Sequence, residues 1–300
     1  MPTLCNATMS TPLDQRTELL YAAADIDRRI DAVFEGFFVG ADATEQASRC
    51  DDHELAPWFL RWLPEHQPIL EAGFGTGRWL AWFEGQAWRS VGIERIAVLV
   101  EQARSQLPKA NLSLGDFREL PFADCSFGSV VALGSIEHAP EGPLRALREF
   151  HRVLRPGGLC LLTVPAGTPM LRAREWLRRV RVRLLATLGR EHLVKSAWRP
   201  PGSPVAAWCP VLHEDGCGWH FYEYLFTDAQ MRGFLESAGL QLISAGVMAL
   251  DKGVIFDFGR LAGSFDDDGT ASLNFVGCAI KKLLPPWVVA QTLSYVVRRE

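Results

Sequence analysis

EAGFGTGRW, residues 71–79, places glycines at 73, 75 and 77. The apolar pair Ile69-Leu70 precedes it, and Trp79-Leu80-Ala81-Trp82-Phe83 follows the last glycine. A short apolar run, a bend of bare backbone and a longer apolar segment read as strand, turn and helix. Glycine at such a bend lets a ligand lie directly against the main chain. Working outward, the same alternation continues. Residues 68–72 read as a strand, 78–85 as a helix, 90–93 as a strand and 96–107 as a helix. Strands at 112–114 and 128–133, a helix at 143–154 and a strand at 158–164 complete the run. Strict succession of this kind predicts right-handed crossovers and a parallel sheet covered on both faces, an α/β doubly wound fold.

Residues 1–10 read as disordered, 12–34 as a helix with Leu19, Ala22, Ile26 and Ile30 on one face, and 54–63 as a second amphipathic segment carrying Trp58, Phe59 and Trp62. The rhythm breaks at Pro165. Order returns at 227–238, with Thr227 as N-cap and Gly239 closing the helix, then strand candidates at 240–250 and 272–280. The expected division is an N-terminal helical extension (1–64), a core (65–165), an inserted lid (166–226), the remainder of the sheet (227–282) and a tail (283–300).

The chain has 300 residues, 48% of them hydrophobic, enough for a large buried core. A formal net charge of −4 provides no global attraction for nucleic acid. The seven cysteines are scattered, with no CxxC pair, as in a reduced, cytoplasmic protein. The first thirty residues lack a basic start followed by an apolar stretch, and no eighteen apolar residues run together. These features predict a cytoplasmic protein with no secretory leader.

In an open parallel sheet, ligands sit beyond the carboxyl ends of the strands. Strand 1 ends in Gly73-Phe74-Gly75-Thr76-Gly77, strand 2 in Glu94-Arg95, strand 3 in Gly115-Asp116-Phe117 and strand 4 in Gly134-Ser135-Ile136-Glu137-His138. An acid closing strand 2 suits a ribose diol. Asp116 suits an adenine amine, and Phe117 the ring face. A dinucleotide fingerprint would need glycine where Arg78 stands, so a smaller adenosyl ligand fits better and an oxidoreductase worse.

The E-x-G-x-G-x-G run, the acid at 94, the Gly115-Asp116-Phe117 step, RVLRPGG at 152–158 and LPFADCSFGSVVALGSIEHAPEG at 120–142 together resemble the class I S-adenosylmethionine-dependent methyltransferases, most of all the branch that acts on small molecules. The resemblance is dense over 68–165 and resumes at 224–244. It implies a seven-stranded sheet with one antiparallel strand, supplied by the last two strand candidates, and S-adenosyl-L-methionine as cofactor. By that resemblance Glu71, Gly73, Gly75 and Gly77 hold the methionine portion, Glu94 the ribose, and Asp116 with Phe117 the adenine. Ser135 to His138 line the far wall beside the acceptor, and Arg95, Gly134 and Ser135 count among the cofactor-binding residues. A catalytically silent adenosyl-binding partner protein is the reading from another class.

Methyl transfer from a sulfonium needs a base only where the acceptor must lose a proton, and His138 is the candidate for that base or for a loop-holding role. His220, Tyr222 and Tyr224 in the lid either face the acceptor or pack the lid onto the core. His151, on the helix before strand 5, reads as a surface residue. Cys209, His213, Cys217 and His220 have donor side chains, but the intervening Pro210, Gly216 and Gly218 argue against a metal site, so no metal is assigned. Residues 169–190 hold seven arginines and one acid, Glu175, with Ala173, Leu177, Val180, Leu184 and Leu188 at helical spacing. That stripe is expected to pack on the core; the alternative is an amphipathic helix on a membrane or at a lipid-linked acceptor. The expected partner is a small molecule.

Overall fold

β1 (Ile69–Ala72) is buried along its whole length, as an unalternating apolar strand must be when both sheet faces are covered. It pairs in parallel with β2 (Ser90–Glu94) on one side and β4 (Phe127–Leu133) on the other. The computed structural model describes residues 25–187, 209–214, 219–266 and 270–300. With β3 (Asn111–Leu114), β5 (Leu154–Pro165), β8 (Leu240–Met248) and β11 (Thr292–Arg299), they form a seven-stranded sheet of order β3-β2-β1-β4-β5-β11-β8. The pairings from β3 to β5 are parallel, whereas β11 runs antiparallel to both neighbours.

Helices α1 (Ile26–Phe38), α2 (Ala43–Ala47) and α3 (Leu55–Trp62) precede the sheet. The predicted helix over 12–34 is seen from Ile26 onward; Leu19 and Ala22 lie outside the described residues. Phe59 of α3 is fully buried against Trp79, Trp82 and Phe83 of α4 (Arg78–Gly85), with ring centroids 5.0–6.0 Å apart. Each such aromatic contact contributes about 0.5–1.5 kcal/mol beyond area burial. α5 (Ala97–Gln106) and α6 (Leu144–Val153) complete the crossovers, and α6 buries Ala146, Leu147, Phe150 and Val153.

Three expectations are corrected after Pro165. α7 (Pro169–Thr187) leaves the end of β5, but its stripe does not pack: Ala173, Leu177, Val180 and Leu184 are all exposed, and Leu188 lies outside the described residues. The core position is taken instead by a hairpin of β6 (Cys209–Glu214) and β7 (Trp219–Leu225), with Phe221, Tyr224 and the following Phe226 fully buried. α8 (Asp228–Ser237) starts as predicted, with Thr227 in a reciprocal capping box with Gln230.

The strand expected at 272–280 is the second correction. After α9 (Leu250–Phe258) and a short hairpin of β9 (Gly263–Phe265) and β10 (Ala271–Leu273), residues Phe275–Leu283 form α10. Asn274 decides this, because its Oδ1 accepts from Gly277 N at 3.0 Å and caps a helix. The third correction follows directly. α11 (Pro286–Val289) breaks the apolar run, and the segment expected as a tail supplies β11, inserted between β5 and β8 with Tyr295, Val296 and Val297 buried.

Candidate active site

The carboxyl ends of β1, β2 and β4 open onto a cavity of about 230 Å³. Gly73, Gly75 and Gly77 line or border it, all with positive φ. Gly73 shows why. Its φ is +77°, its N–H donates to the Ile93 carbonyl at 2.9 Å, and a Cβ there would meet the Ser135 Cβ at 2.9 Å. The turn is thus pinned to β2 while it passes close to the loop after β4.

Glu71 is buried in the cavity wall, and its Oε2 has no hydrogen-bond partner. Burial pushes its pKa up to about 8, and the Glu94 charge adds to the rise against the opposing pull of Arg78. A buried carboxyl with an open oxygen ionises readily only beside a positive charge, so it is suited to an ammonium or another cationic donor. Glu94, also buried, accepts from Arg95 N at 2.8 Å and Ile96 N at 3.1 Å through Oε1, and from Gly75 N at 3.1 Å through Oε2. Burial raises its pKa and those backbone donors oppose the rise. With three of roughly four acceptor positions taken, Oε2 keeps room for a hydroxyl donor.

Arg95 lines the cavity, but its guanidinium is committed to α1, at 2.7 Å from Asp27 and 2.6 Å from Asp31. Asp116 departs further from expectation. Both of its oxygens are engaged by Arg118, Oδ1 by the backbone N at 2.7 Å and Nε at 3.0 Å, and Oδ2 by Nε at 2.9 Å and by Nη2. It is not among the residues lining the cavity, whereas its neighbour Phe117 is. Arg118 continues to Asp27 at 2.9 Å and Glu141 at 3.2 Å.

Gly134 and Ser135 line the far wall, and Ser135 Oγ is buried without a hydrogen-bond partner. His138 lines it too, whereas the other two candidate catalytic residues, His220 and Tyr222, do not. Its Nδ1 lies 2.8 Å from the Tyr222 carbonyl, so that nitrogen carries the proton and Nε2 is the acceptor. Burial lowers its pKa to about 4, outweighing that hydrogen bond. Tyr222 stands one layer back, 4.9 Å from the His138 ring and 5.9 Å from Phe34. His220 is buried in the packed hairpin, and His151 packs against Gly239.

Of the cysteine and histidine series in the lid, Cys217 lies outside the described residues. A different grouping emerges: Glu137, His138 and Glu223 each bring a ligand atom within 4.8 Å of the others, a set that could hold a divalent cation. Residue spacing alone did not reveal it, because Glu223 arrives from β7. Sequence reasoning also missed Phe34 and Phe38. They extend the Ile26, Ile30 face of α1 by further steps of four and close the cavity, with Phe38 lying 3.4 Å from where a Gly75 Cβ would be. Gln46 of α2 joins the same wall, accepting from the Thr76 hydroxyl at 2.7 Å.

The family described as Methyltransferase domain matches residues 70–162, the stretch from β1 to β5. The chain carries a methyltransferase domain. A probable S-adenosylmethionine-dependent methyltransferase of Mycolicibacterium smegmatis is 34% identical over 97 residues, covering 32% of this chain and 37% of that protein. A probable tRNA methyltransferase 9B of Bos taurus is 33% identical over 113 residues, covering 36% of this chain and 24% of that protein. The chain therefore spans well under half of either relative. In fold, the methyltransferase domain and its surroundings match a SAM-dependent methyltransferase from Methanosarcina mazei with a TM-score of 0.52, at 15% identity, over 82% of this chain and 99% of the other. The seven-stranded order with an antiparallel β11 is the arrangement the resemblance implied.

Proposed function

We propose that the protein binds S-adenosylmethionine in the cavity at the ends of β1, β2 and β4 and methylates an oxygen or nitrogen of a small-molecule acceptor. The observation that carries this reading is the open, buried carboxylate of Glu71 in the same cavity as Glu94 and the glycine turn. The cofactor supplies a methyl group already activated by its sulfonium. Glu71 and the turn suit its amino-acid end, Glu94 its ribose and Phe117 its base.

What remains for the chain is alignment, which supplies most of the rate in such a displacement. Phe34 and Phe38 exclude water from the cavity. His138, neutral at working pH, orients an acceptor hydroxyl or amine through Nε2. A pKa of about 4 gives it little driving force as a base. Its part is therefore positioning more than proton removal.

The test has two stages. Calorimetry should show micromolar-range binding of S-adenosylhomocysteine and none of NAD; the reverse would sink the reading. Transfer of label from methyl-labelled S-adenosylmethionine is then measured against a panel of small hydroxyl and amine acceptors and against bulk tRNA. Label found in tRNA alone would replace the small-molecule assignment, and binding without transfer to any acceptor would favour a silent adenosyl-binding protein.

A further inference from the structure

Trp176, Leu177, Val180 and Leu184 of α7 are 63%, 59%, 45% and 59% exposed, and steps of one, four and eight put them on one helical face. Solvent-facing helices rarely carry such a stripe without a partner. Phe256 of α9 and Trp287 of α11, on helices that adjoin α7, are also more than half exposed. α9 is joined to α7 through Arg174, whose Nη1 donates to the Phe256 carbonyl at 2.8 Å and lies 3.5 Å from Asp257, and α11 packs on α7. Charge accompanies the apolar face. Arg172 and Arg181 are exposed on α7, and 169–187 contains six arginines against one acid, Glu175.

Topology fixes where this surface lies. Pro165 at the end of β5 pairs with Thr292 at the start of β11, and Thr292 pairs with Met248 at the end of β8. α7 therefore emerges from the carboxyl edge of the sheet. The α9–α11 segment spans between strands at that same edge. The cavity opens there too, beyond β1, β2 and β4.

We propose that α7, with Phe256 and Trp287 beside it, docks the protein on an anionic phospholipid bilayer, and that the acceptor is an amphiphile whose head group enters the cavity while its tail stays in the membrane. The arginine excess selects an anionic surface, and the indole rings suit the head-group region. Among the described residues no helix is long and apolar enough to cross a membrane, so the contact is interfacial. The docking half stands on the surface alone; the acceptor half rests on the methyltransferase reading above.

Flotation of the full chain with vesicles of phosphatidylcholine, or of phosphatidylcholine with 30% phosphatidylglycerol, tests the docking. The expected result is at least tenfold more protein bound to the anionic vesicles at low salt, falling several-fold at high salt as charge is screened. The triple variant W176S/L177S/L184S should lose binding at least tenfold, and R172E/R181E should lose the preference for anionic lipid. All these side chains are exposed, so melting temperature and S-adenosylhomocysteine affinity should stay unchanged. Failure of the wild type to bind either vesicle, with adenosyl binding intact, overturns the docking and leaves the methyltransferase reading standing. Vesicle binding without adenosyl binding does the opposite. A concentration-dependent dimer abolished by the triple variant, with no vesicle binding, would assign the face to a second copy and overturn the proposal.

Discussion

At the carboxyl end of β2, Glu94 accepts three backbone N–H groups and remains in the cavity wall. One strand further out, at the end of β3, Asp116 accepts four hydrogen bonds from Arg118 alone and stays out of it. The two acids occupy equivalent places in sequence, each closing a strand of the same sheet. They differ in who satisfies them. Backbone donors in a tight turn stay where the chain path puts them and hold the carboxylate without covering its outer face. A guanidinium two residues away folds over its partner and takes both oxygens. Arg118 also reaches Asp27 and Glu141, and Arg95 reaches Asp27 and Asp31, so the end of β3 helps to latch α1 across the site.

Four measurements test this picture. Glu94→Ala removes both the acid and the anchor for Gly75 N, and S-adenosylhomocysteine affinity by calorimetry should fall more than about a hundredfold. A loss under fivefold would erase the difference between the two strand ends. Arg118→Ala leaves Asp116 without its cation and Asp27 with Arg95 alone, and should lower unfolding stability by about 2 kcal/mol in urea titrations. Because α1 loses a latch, ligand binding should weaken as well, and unchanged stability would refute the latch.

His138 offers a pH effect with a definite sign. Its folded pKa of about 4 lies below the ordinary histidine value of 6.5, so between those pH values the unfolded chain takes a proton that the native state refuses. Stability should therefore fall as pH drops through that window, by up to about 3 kcal/mol from this residue. His138→Gln should flatten part of the slope in a pH series of thermal melts; His53, also lowered to about 4 by burial, keeps the rest. An identical slope in the variant would remove His138 as its source. Asp116→Asn is the smallest. Adenosyl affinity should change less than about threefold, since the side chain already faces Arg118; a tenfold loss would restore the adenine contact to Asp116.

The parts of the molecule legible in sequence are those whose cause is local. Three glycines with φ between +56° and +85° sit where a strand must turn into a helix around a ligand, and the Thr227 cap needs only the next turn of chain. The exchange of roles in the last fifty residues has the opposite origin. The stretch 272–280 alternates well enough for a strand, yet Asn274 caps it into a helix, and Thr292–Arg299 becomes a central strand because β5 and β8 leave a gap between them. Phe34 and Phe38 share this character: their helical spacing is visible, but nothing nearby in sequence says that Gly75 lies beneath them.

From its sequence alone this protein is a doubly wound sheet with a glycine turn and an acid on the second strand, since periodicity and backbone freedom are properties of neighbouring residues. Tertiary structure alone decides which acid stays available to a ligand, which helix roofs the cavity and which apolar stripe is left facing solvent. Those outcomes depend on competition for partners between residues far apart in the chain, and only the folded packing assigns the partners.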